Sequence, residues 1–137
     1  MKKIYYKKVF HKYKLANLIE LQTSILPEEE IILPFIKLRT DGMLFIKAGY
    51  AWDGASGPTF DTENTVVPSA GHDAEFQLMR EGFIDRDVWF RSSNDDIYRW
   101  MRERGMNIIR ARAWRTSLNL FGYKHTLPIT ENLIEVW

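Results

Sequence analysis

Two polar segments and one small-residue loop carry the side chains that could do chemistry. His72 and Asp73 are adjacent, and Asp95 follows further along the chain. On a helix, His72 shares an apolar face with Phe76 and Met79, so its imidazole should point inward and need a hydrogen-bond partner. A carboxylate from an antiparallel neighbour helix, Asp95, would hold one tautomer and leave the other ring nitrogen free to activate water. His72 and Asp95 are therefore the candidate catalytic residues.

The same region predicts an oxygen-rich cation site. Adjacent helix positions differ by about 100° in direction, so Asp73 can face a partner other than that of His72. Asp53 and the backbone carbonyls of the loop, including that of Gly54, could supply further oxygen atoms. Ligation by oxygen alone suits calcium or magnesium. Asp73, Asp53 and Gly54 are therefore candidate metal-binding residues.

A structural interpretation of the same residues stays open. Acidic residues in the first turn of a helix complement the helix dipole, and a histidine on an apolar face can be a satisfied core residue. Ser56 could act as a nucleophile with His72 and Asp95, but its surroundings lack the Gly-x-Ser-x-Gly pattern, which favours a serine that hydrogen-bonds within its own loop. Trp52, beside the glycine-containing loop, could line a pocket.

The N-terminal part of the sequence predicts a β-sheet. Residues 4–10 and 31–39 are rich in β-branched and aromatic types, and Pro34 places the second run at an edge or a bulge. Thr40, Asp41 and Gly42 predict a hairpin turn, and residues 43–50 form the returning strand. Residues 15–25 fit either a strand or a helix. We expect an antiparallel sheet.

The C-terminal part of the sequence predicts three helices. The first begins at Pro68 with Ser69 as its N-cap and ends near Arg80, before Gly82. Ser92 or Ser93 caps the second, which ends at Gly105. The third runs from its cap, Asn107, to about Phe121. The predicted fold is α+β in a single domain, residues 1–137, with a β-rich part (1–50), a functional loop (51–67), a helical part (68–122) whose first two helices are antiparallel, and an extended tail (123–137).

Composition excludes several function classes. The chain has 137 residues, 45% of them hydrophobic, so it can form a core and is not intrinsically disordered. It has no cysteine, which excludes disulfides, a cysteine nucleophile and zinc fingers. Its net charge is +1, which indicates no bulk electrostatic partner. No apolar run is long enough for a membrane span, so we expect a soluble protein without a transmembrane segment.

The chemical motifs resemble those of a domain-of-unknown-function family found mainly in tailed phages and prophages. The resemblance spans residues 49–122: the small-residue loop, the His72-Asp73 helix and a motif at residues 94–98 that ends in Tyr98. Phe76 stands where that family usually has Tyr, and Asn94 where it usually has Ala. The resemblance implies a phage origin and a location in the cytoplasm of an infected bacterium or in the virion. It implies no established activity.

The layout is also similar to that of prokaryotic phospholipases A2. This resemblance implies that His72 is the general base, that Asp95 orients it, and that Asp73 binds calcium together with carbonyls near Asp53 and Gly54. Phe76 replaces a Tyr whose hydroxyl would support the aspartate. Those enzymes are normally secreted and disulfide-bonded, whereas this chain has no cysteine and cannot form disulfides.

Three functions follow as hypotheses. The first is a phage accessory or virion-associated protein, non-enzymatic or with a vestigial site, whose partner is a phage structural protein or a host component. The second is a calcium-type hydrolase of a lipid or a small ester. The third is single-stranded nucleic-acid binding by the basic, aromatic N-terminus. Lysines on the solvent edge of a strand pair explain that composition better, so we expect no nucleic-acid partner.

Overall fold

The structure is a computed structural model that describes residues 13–52 and 63–128. The N-terminal strand predicted at residues 4–10, most of the small-residue loop and the end of the tail lie outside the described residues. In the described part, short strands come first and helices follow. The α+β layout predicted from the sequence is therefore confirmed.

The strands form two antiparallel sheets. The larger contains β2 (Ile19–Gln22), β3 (Ile31–Ile32), β4 (Ile36–Leu38) and β5 (Met43–Ile46) in the order β2-β5-β4-β3. The smaller pairs β1 (Tyr13–Lys14) with β6 (Ala51–Trp52). Burial alternates along β4 and β5, so one face of the larger sheet packs on the core.

The predicted hairpin turn at Thr40, Asp41 and Gly42 is confirmed. Gly42 has φ = 88°, a conformation that favours glycine, and the carboxylate of Asp41 accepts a hydrogen bond from the Met43 amide at 3.1 Å. The turn joins β4 to β5 with Leu38 opposite Leu44. Residues 15–25, for which strand and helix stayed open, contain β2.

The single strand predicted at residues 31–39 is wrong, because two strands of one hairpin occupy this range. The Leu33 amide donates to the Ile36 carbonyl at 2.8 Å, which reverses the chain between β3 and β4. Pro34 lies in this turn, where its missing N–H costs no ladder hydrogen bond.

Three helices follow: α1 (Glu63–Arg80), α2 (Arg86–Glu103) and α3 (Ile108–Phe121). The chain then forms a 3₁₀ helix at Tyr123–Thr126, so the predicted extended tail is wrong for these residues. No helix in the described ranges is both long and apolar enough to cross a membrane.

Two helix starts differ from the prediction, and the reason is the same for both. Ser69 Oγ donates to the Val66 carbonyl at 2.7 Å, and Ser93 Oγ donates to the Phe90 carbonyl at 2.6 Å. Each serine thus bonds backward within a helix that has already begun, instead of capping its start. Helix α1 begins at Glu63, so the predicted loop 51–67 ends earlier, and Asp85 caps α2.

The remaining helix ends agree with the sequence signals. Asn107 Oδ1 accepts from the amides of Ile109 and Arg110 at 2.7 and 3.2 Å, as expected of an N-cap. Helix α1 ends at Arg80, and Gly82 follows with φ = 81°. Helix α2 ends at Glu103, just before Gly105 with φ = 92°.

Helices α1 and α2 pack against each other in opposite directions. The Arg86 guanidinium donates to the Met79 carbonyl at 3.2 Å, and the rings of Phe76 and Phe90 stack at 5.9 Å. Along this interface the residue numbers rise on α2 as they fall on α1, which shows that the two helices are antiparallel. Gly71 of α1 lies close to Leu21 of β2 and Trp100 of α2. These contacts bring His72 to the interface between the helices.

Candidate functional site

A cavity of about 160 Å³ lies among α1, α3 and the 3₁₀ helix. Its apolar wall includes Phe76, Trp114 and Phe121. Polar side chains also line it, namely those of Ser69, His72, Asp73, Arg80, Ser117 and His125. The cavity has room for a few water molecules or a small acyl group, but not for a whole lipid. The structure thus places the predicted pair His72 and Asp73 at one cavity.

His72 is held by a chain of amide hydrogen bonds. Its Nε2 atom lies 2.7 Å from Asn94 Oδ1, and Asn94 Nδ2 donates to Asn119 Oδ1 at 2.8 Å. Because the Asn94 oxygen can only accept, Nε2 carries the proton and donates. Nδ1 then holds a lone pair, and it makes no hydrogen bond within the described part of the chain. His72 is only 7% exposed, and the cavity that it lines is the free space next to its ring.

Burial keeps the imidazole neutral. It lowers the pKa of His72 to about 4, and the hydrogen bond to Asn94 opposes that shift only in part. The Nδ1 lone pair is therefore present throughout the neutral pH range. A neutral imidazole fixed in one tautomer beside a cavity can accept a proton from a water molecule there.

The hydrogen-bond partner of His72 is Asn94 and not Asp95, the partner that was predicted from the sequence. The side chain of Asp95 is 61% exposed and forms an ion pair with Arg115 at 3.5 Å. Asn94 and Asp95 are adjacent on α2, so when Asn94 points at α1 the next side chain points about 100° away. The predicted His–Asp pair between the helices is therefore wrong in its acidic member.

Asp73 is bound by a tyrosine at the edge of the cavity. The Tyr50 hydroxyl donates to Asp73 Oδ2 at 2.9 Å and also contacts Gln77 Oε1 at 3.3 Å. Burial and the nearby Asp73 carboxylate raise the pKa of Tyr50, so its hydroxyl stays protonated and keeps donating. Asp73 is thus at least partly satisfied by protein groups.

The described residues do not by themselves form the predicted calcium site. In residues 13–52 and 63–128, no three His, Cys, Asp or Glu side chains cluster as metal ligands would. Asp73 is the one predicted ligand in these ranges, whereas Asp53 and Gly54 lie outside them, as does the candidate nucleophile Ser56. An oxygen site for calcium needs more donors than this one carboxylate.

The other predicted pocket residues have structural contacts. Trp52 is buried, and its indole Nε1 donates to Ser69 Oγ at 2.8 Å, so it supports the cavity wall from behind. The ring of Phe76 lies 4.1 Å from the His72 ring, centre to centre. Tyr98 lies under the Arg115 guanidinium at 4.0 Å and does not line the cavity.

Glu75 and Asp96 form a buried pair of carboxyl groups that was not predicted from the sequence. Asp96 accepts from the Ser24 amide at 3.1 Å and pairs with Arg99 at 3.0 Å. Both Glu75 oxygens are buried, and no described residue donates a hydrogen bond to them. Burial, followed by the nearby Asp96, raises the pKa of Glu75 well above its usual range, so Glu75 is a neutral acid whose O–H can point to Asp96.

Asn94 and Asn119 were also not predicted as site residues, although the pattern of buried residues on α2 indicates that Asn94 points inward. On α2, buried residues recur at Phe90, Asn94, Ile97 and Met101, the spacing of one helix face. With the helix start placed at Arg86, this periodicity alone points Asn94 inward. Asn119 is on α3, and no local pattern indicates that it meets α2.

Comparison with known proteins identifies no relative of this chain. No family model matches the chain, and neither a curated protein nor a solved structure does. The resemblances to the phage family and to phospholipases A2 therefore stay predictions, and the geometry around His72 carries the functional argument.

Proposed function

We propose that the cavity beside His72 is the active site of a small-ester hydrolase, with His72 as its general base. The observation that carries this proposal is the hydrogen bond from His72 Nε2 to Asn94, which leaves the Nδ1 lone pair for a water molecule. The Asn94 amide takes the orienting role that was predicted for Asp95. An oriented imidazole of this kind contributes about 10²–10⁴-fold to a hydrolytic rate.

The proposed reaction needs a proton acceptor and a cationic group. His72 Nδ1 takes a proton from water while the water oxygen bonds to the ester carbonyl carbon. The protonated imidazole then gives this proton to the leaving alkoxide as the C–O bond breaks, which yields an acid and an alcohol. Arg80 lines the same cavity and would stabilise the negative carbonyl oxygen of the intermediate.

The cavity volume favours a short substrate. About 160 Å³ accommodates an ester with a small acyl group, whereas a phospholipid could insert only the part around its ester bond. Calcium remains an expectation that depends on Asp53 and Gly54, and no step above requires it. Titration with calcium of a wild-type protein and an Asp73→Asn variant tests that expectation through the melting temperature, because an ion that binds the folded chain raises it.

The test is a hydrolysis assay with chromogenic short-chain esters and with phospholipid vesicles. His72→Gln removes Nδ1 but places an amide N–H near the position of Nε2, so it can keep the bond to Asn94. We expect kcat to fall by about 10²–10⁴-fold with little change in melting temperature. The matched control is Asp95→Asn, an exposed residue next to Asn94, which should keep wild-type activity. A wild-type protein without activity on any ester, or equal activity in His72→Gln, would refute the proposal.

The buried polar network favours a second candidate, a non-enzymatic accessory or virion-associated protein of a phage. Asp96 ties the Ser24 backbone to α2, and His72 ties α1 to α2 and α3 through Asn94. Such networks can serve only to hold elements in register. In that case a double-mutant cycle of His72 and Asn94 would show coupling in the free energy of unfolding, while the wild type would hydrolyse none of the esters.

A further inference from the structure

A second concave surface includes the α1–α2 connection in its lining. It encloses about 800 Å³ between two segments, residues 26–32 and 83–89. The first comprises the turn before β3 and β3 itself, and the second comprises the loop before α2 and its first turn. The two concave surfaces have no lining residue in common. We call this surface the acidic groove.

Large apolar side chains of the acidic groove are open to solvent. Leu26 is 56% exposed, Ile32 65%, Phe83 47% and Val88 58%. Single exposed apolar side chains are common on protein surfaces, but here four of them line one concavity. Below them, Ile31 and Ile84 are buried and join the groove to the core. The floor is therefore packed against the core, and the exposed side chains offer apolar area to a partner.

The charges of the groove have a single sign. Glu28, Glu29, Glu30 and Asp85 line it, and its lining contains no lysine or arginine. Lys37 approaches Glu30 at 3.6 Å from outside the lining. Three of the four carboxylates thus lack a lysine or arginine partner among the described ion pairs. An acidic surface with low-dielectric walls attracts cations and repels phosphate groups.

Strand β3 adds a backbone feature. It is the edge strand of the larger sheet in the described part of the chain, next to β4 only. An edge strand exposes unpaired N–H and C=O groups along one side, to which an extended segment can add. Ile31 and Ile32 of β3 line the groove, so a segment bound there would reach this edge.

We propose that the acidic groove binds a peptide segment of a partner protein that combines lysine or arginine with aliphatic or aromatic side chains. The apolar side chains would fill the space over Ile32, Phe83 and Val88, and the basic ones would meet the acidic rim. Nucleic acid and anionic membranes carry the wrong charge for this surface. A second copy of the chain docked groove to groove would set like charges against each other.

The probe is a synthetic peptide that copies residues 1–12, whose sequence has the required chemistry of lysines interleaved with Ile, Tyr, Val and Phe. Binding to the full-length protein is measured by fluorescence anisotropy of the labelled peptide. We expect a Kd in the micromolar range that weakens about tenfold between roughly 50 and 500 mM salt, because screening removes the attraction of the rim. A second peptide with every lysine replaced by glutamate should not bind.

Protein variants locate the binding site. The charge reversal Glu28→Lys combined with Glu29→Lys should weaken binding at least about tenfold, and Val88→Ser should weaken it at any salt concentration. All three positions are exposed, so the fold should persist. The matched control is Glu20→Lys on β2, the opposite edge of the sheet, which should bind as wild type does. Its change in net charge is +2, against +4 for the double reversal, so Glu28→Lys alone is measured as the charge-matched groove variant.

Three results would overturn the proposal. One is the absence of binding at a peptide concentration of about 1 mM, which is well above the Kd of a specific peptide site. Another is equal loss of binding in Glu20→Lys and in the groove variants, since bulk charge would then explain the effect. The third is a dimer in sedimentation equilibrium that Val88→Ser dissociates, because a second copy of the chain would then occupy the groove.

Discussion

The Nε2 atom of His72 lies 2.7 Å from Oδ1 of Asn94, and this contact connects α1 to α2 beside the cavity. A neutral amide therefore holds the imidazole where an enzyme of the resembled type would use a carboxylate. An amide fixes the tautomer as a carboxylate does, but it adds no negative charge to stabilise a protonated ring. The charge state of His72 is accordingly governed by its burial.

Replacing the amide by a carboxylate should make the site more basic. In Asn94→Asp, a negative charge would lie at hydrogen-bond distance from Nε2, so the pKa of His72 should rise from about 4 by about one to three units. The measurement is an NMR titration of the His72 ring signals. Asp95→Asn serves as the control and should leave that pKa unchanged, because Asp95 is exposed and pairs with Arg115. An unchanged pKa in Asn94→Asp would show that the two side chains are not in contact.

The depressed pKa of His72 predicts a loss of stability in acid. The unfolded chain binds a proton to this residue below about pH 6.5, whereas the folded chain does so only near pH 4. The stability associated with the neutral ring is thus fully present above pH 6.5 and is lost as pH falls toward 4. The loss amounts to about 3 kcal/mol. His72→Gln does not titrate, so urea titrations from pH 4 to 7 should show wild type losing about 3 kcal/mol relative to this variant as pH falls. A constant difference between the two proteins would contradict the prediction.

Glu75 predicts the opposite dependence on pH. Its pKa is raised in the folded chain, so the folded state keeps a proton that the unfolded state releases above about pH 4.5. Its contribution is therefore favourable below pH 4.5 and is lost as pH rises, by up to about 1.4 kcal/mol per pH unit. Glu75→Gln, which cannot ionise and can donate to Asp96, should be more stable than wild type at pH 8. Its advantage should vanish near pH 4, and urea titrations at the two pH values test both statements.

The packing of α1 on the sheet and on α2 depends on the lack of a side chain at Gly71. An added Cβ would lie 2.5 Å from Leu21 Cδ1 and 2.8 Å from Trp100 Cζ3, and both side chains are buried. Overpacking costs about 1–3 kcal/mol, and the better helix propensity of alanine offsets about 1 kcal/mol of this. We expect Gly71→Ala to lower the free energy of unfolding by up to about 2 kcal/mol. Adding Leu21→Val, which lacks the Cδ1 atom, should recover part of the loss; a stabilised single variant would contradict the crowding.

Local sequence signals determined much of the fold. The turn at Thr40, Asp41 and Gly42 and the N-cap at Asn107 depend on side chains that bond backbone groups within a few residues. The inward direction of His72 follows from its shared face with Phe76, which is a property of one helix. For these features the interacting groups are close in sequence, so residue types and spacing suffice to predict them.

Only the tertiary structure decided the choices that depend on rotation and register. Ser93 can cap a helix or bond backward inside one, and the true start of α2 at Arg86 selects the second option. The rotation of α2 is set by the packing of its buried face, which includes Phe90, Ile97 and Met101, and this rotation turns Asn94 toward His72 and Asp95 toward solvent. The same rotation buries Asp96 opposite Glu75. Neighbouring helix positions differ by about 100°, so an error in register exchanges a buried partner for an exposed one. The sequence by itself therefore determined that His72 needs a partner, and the packing of α1 against α2 decided which residue that partner is.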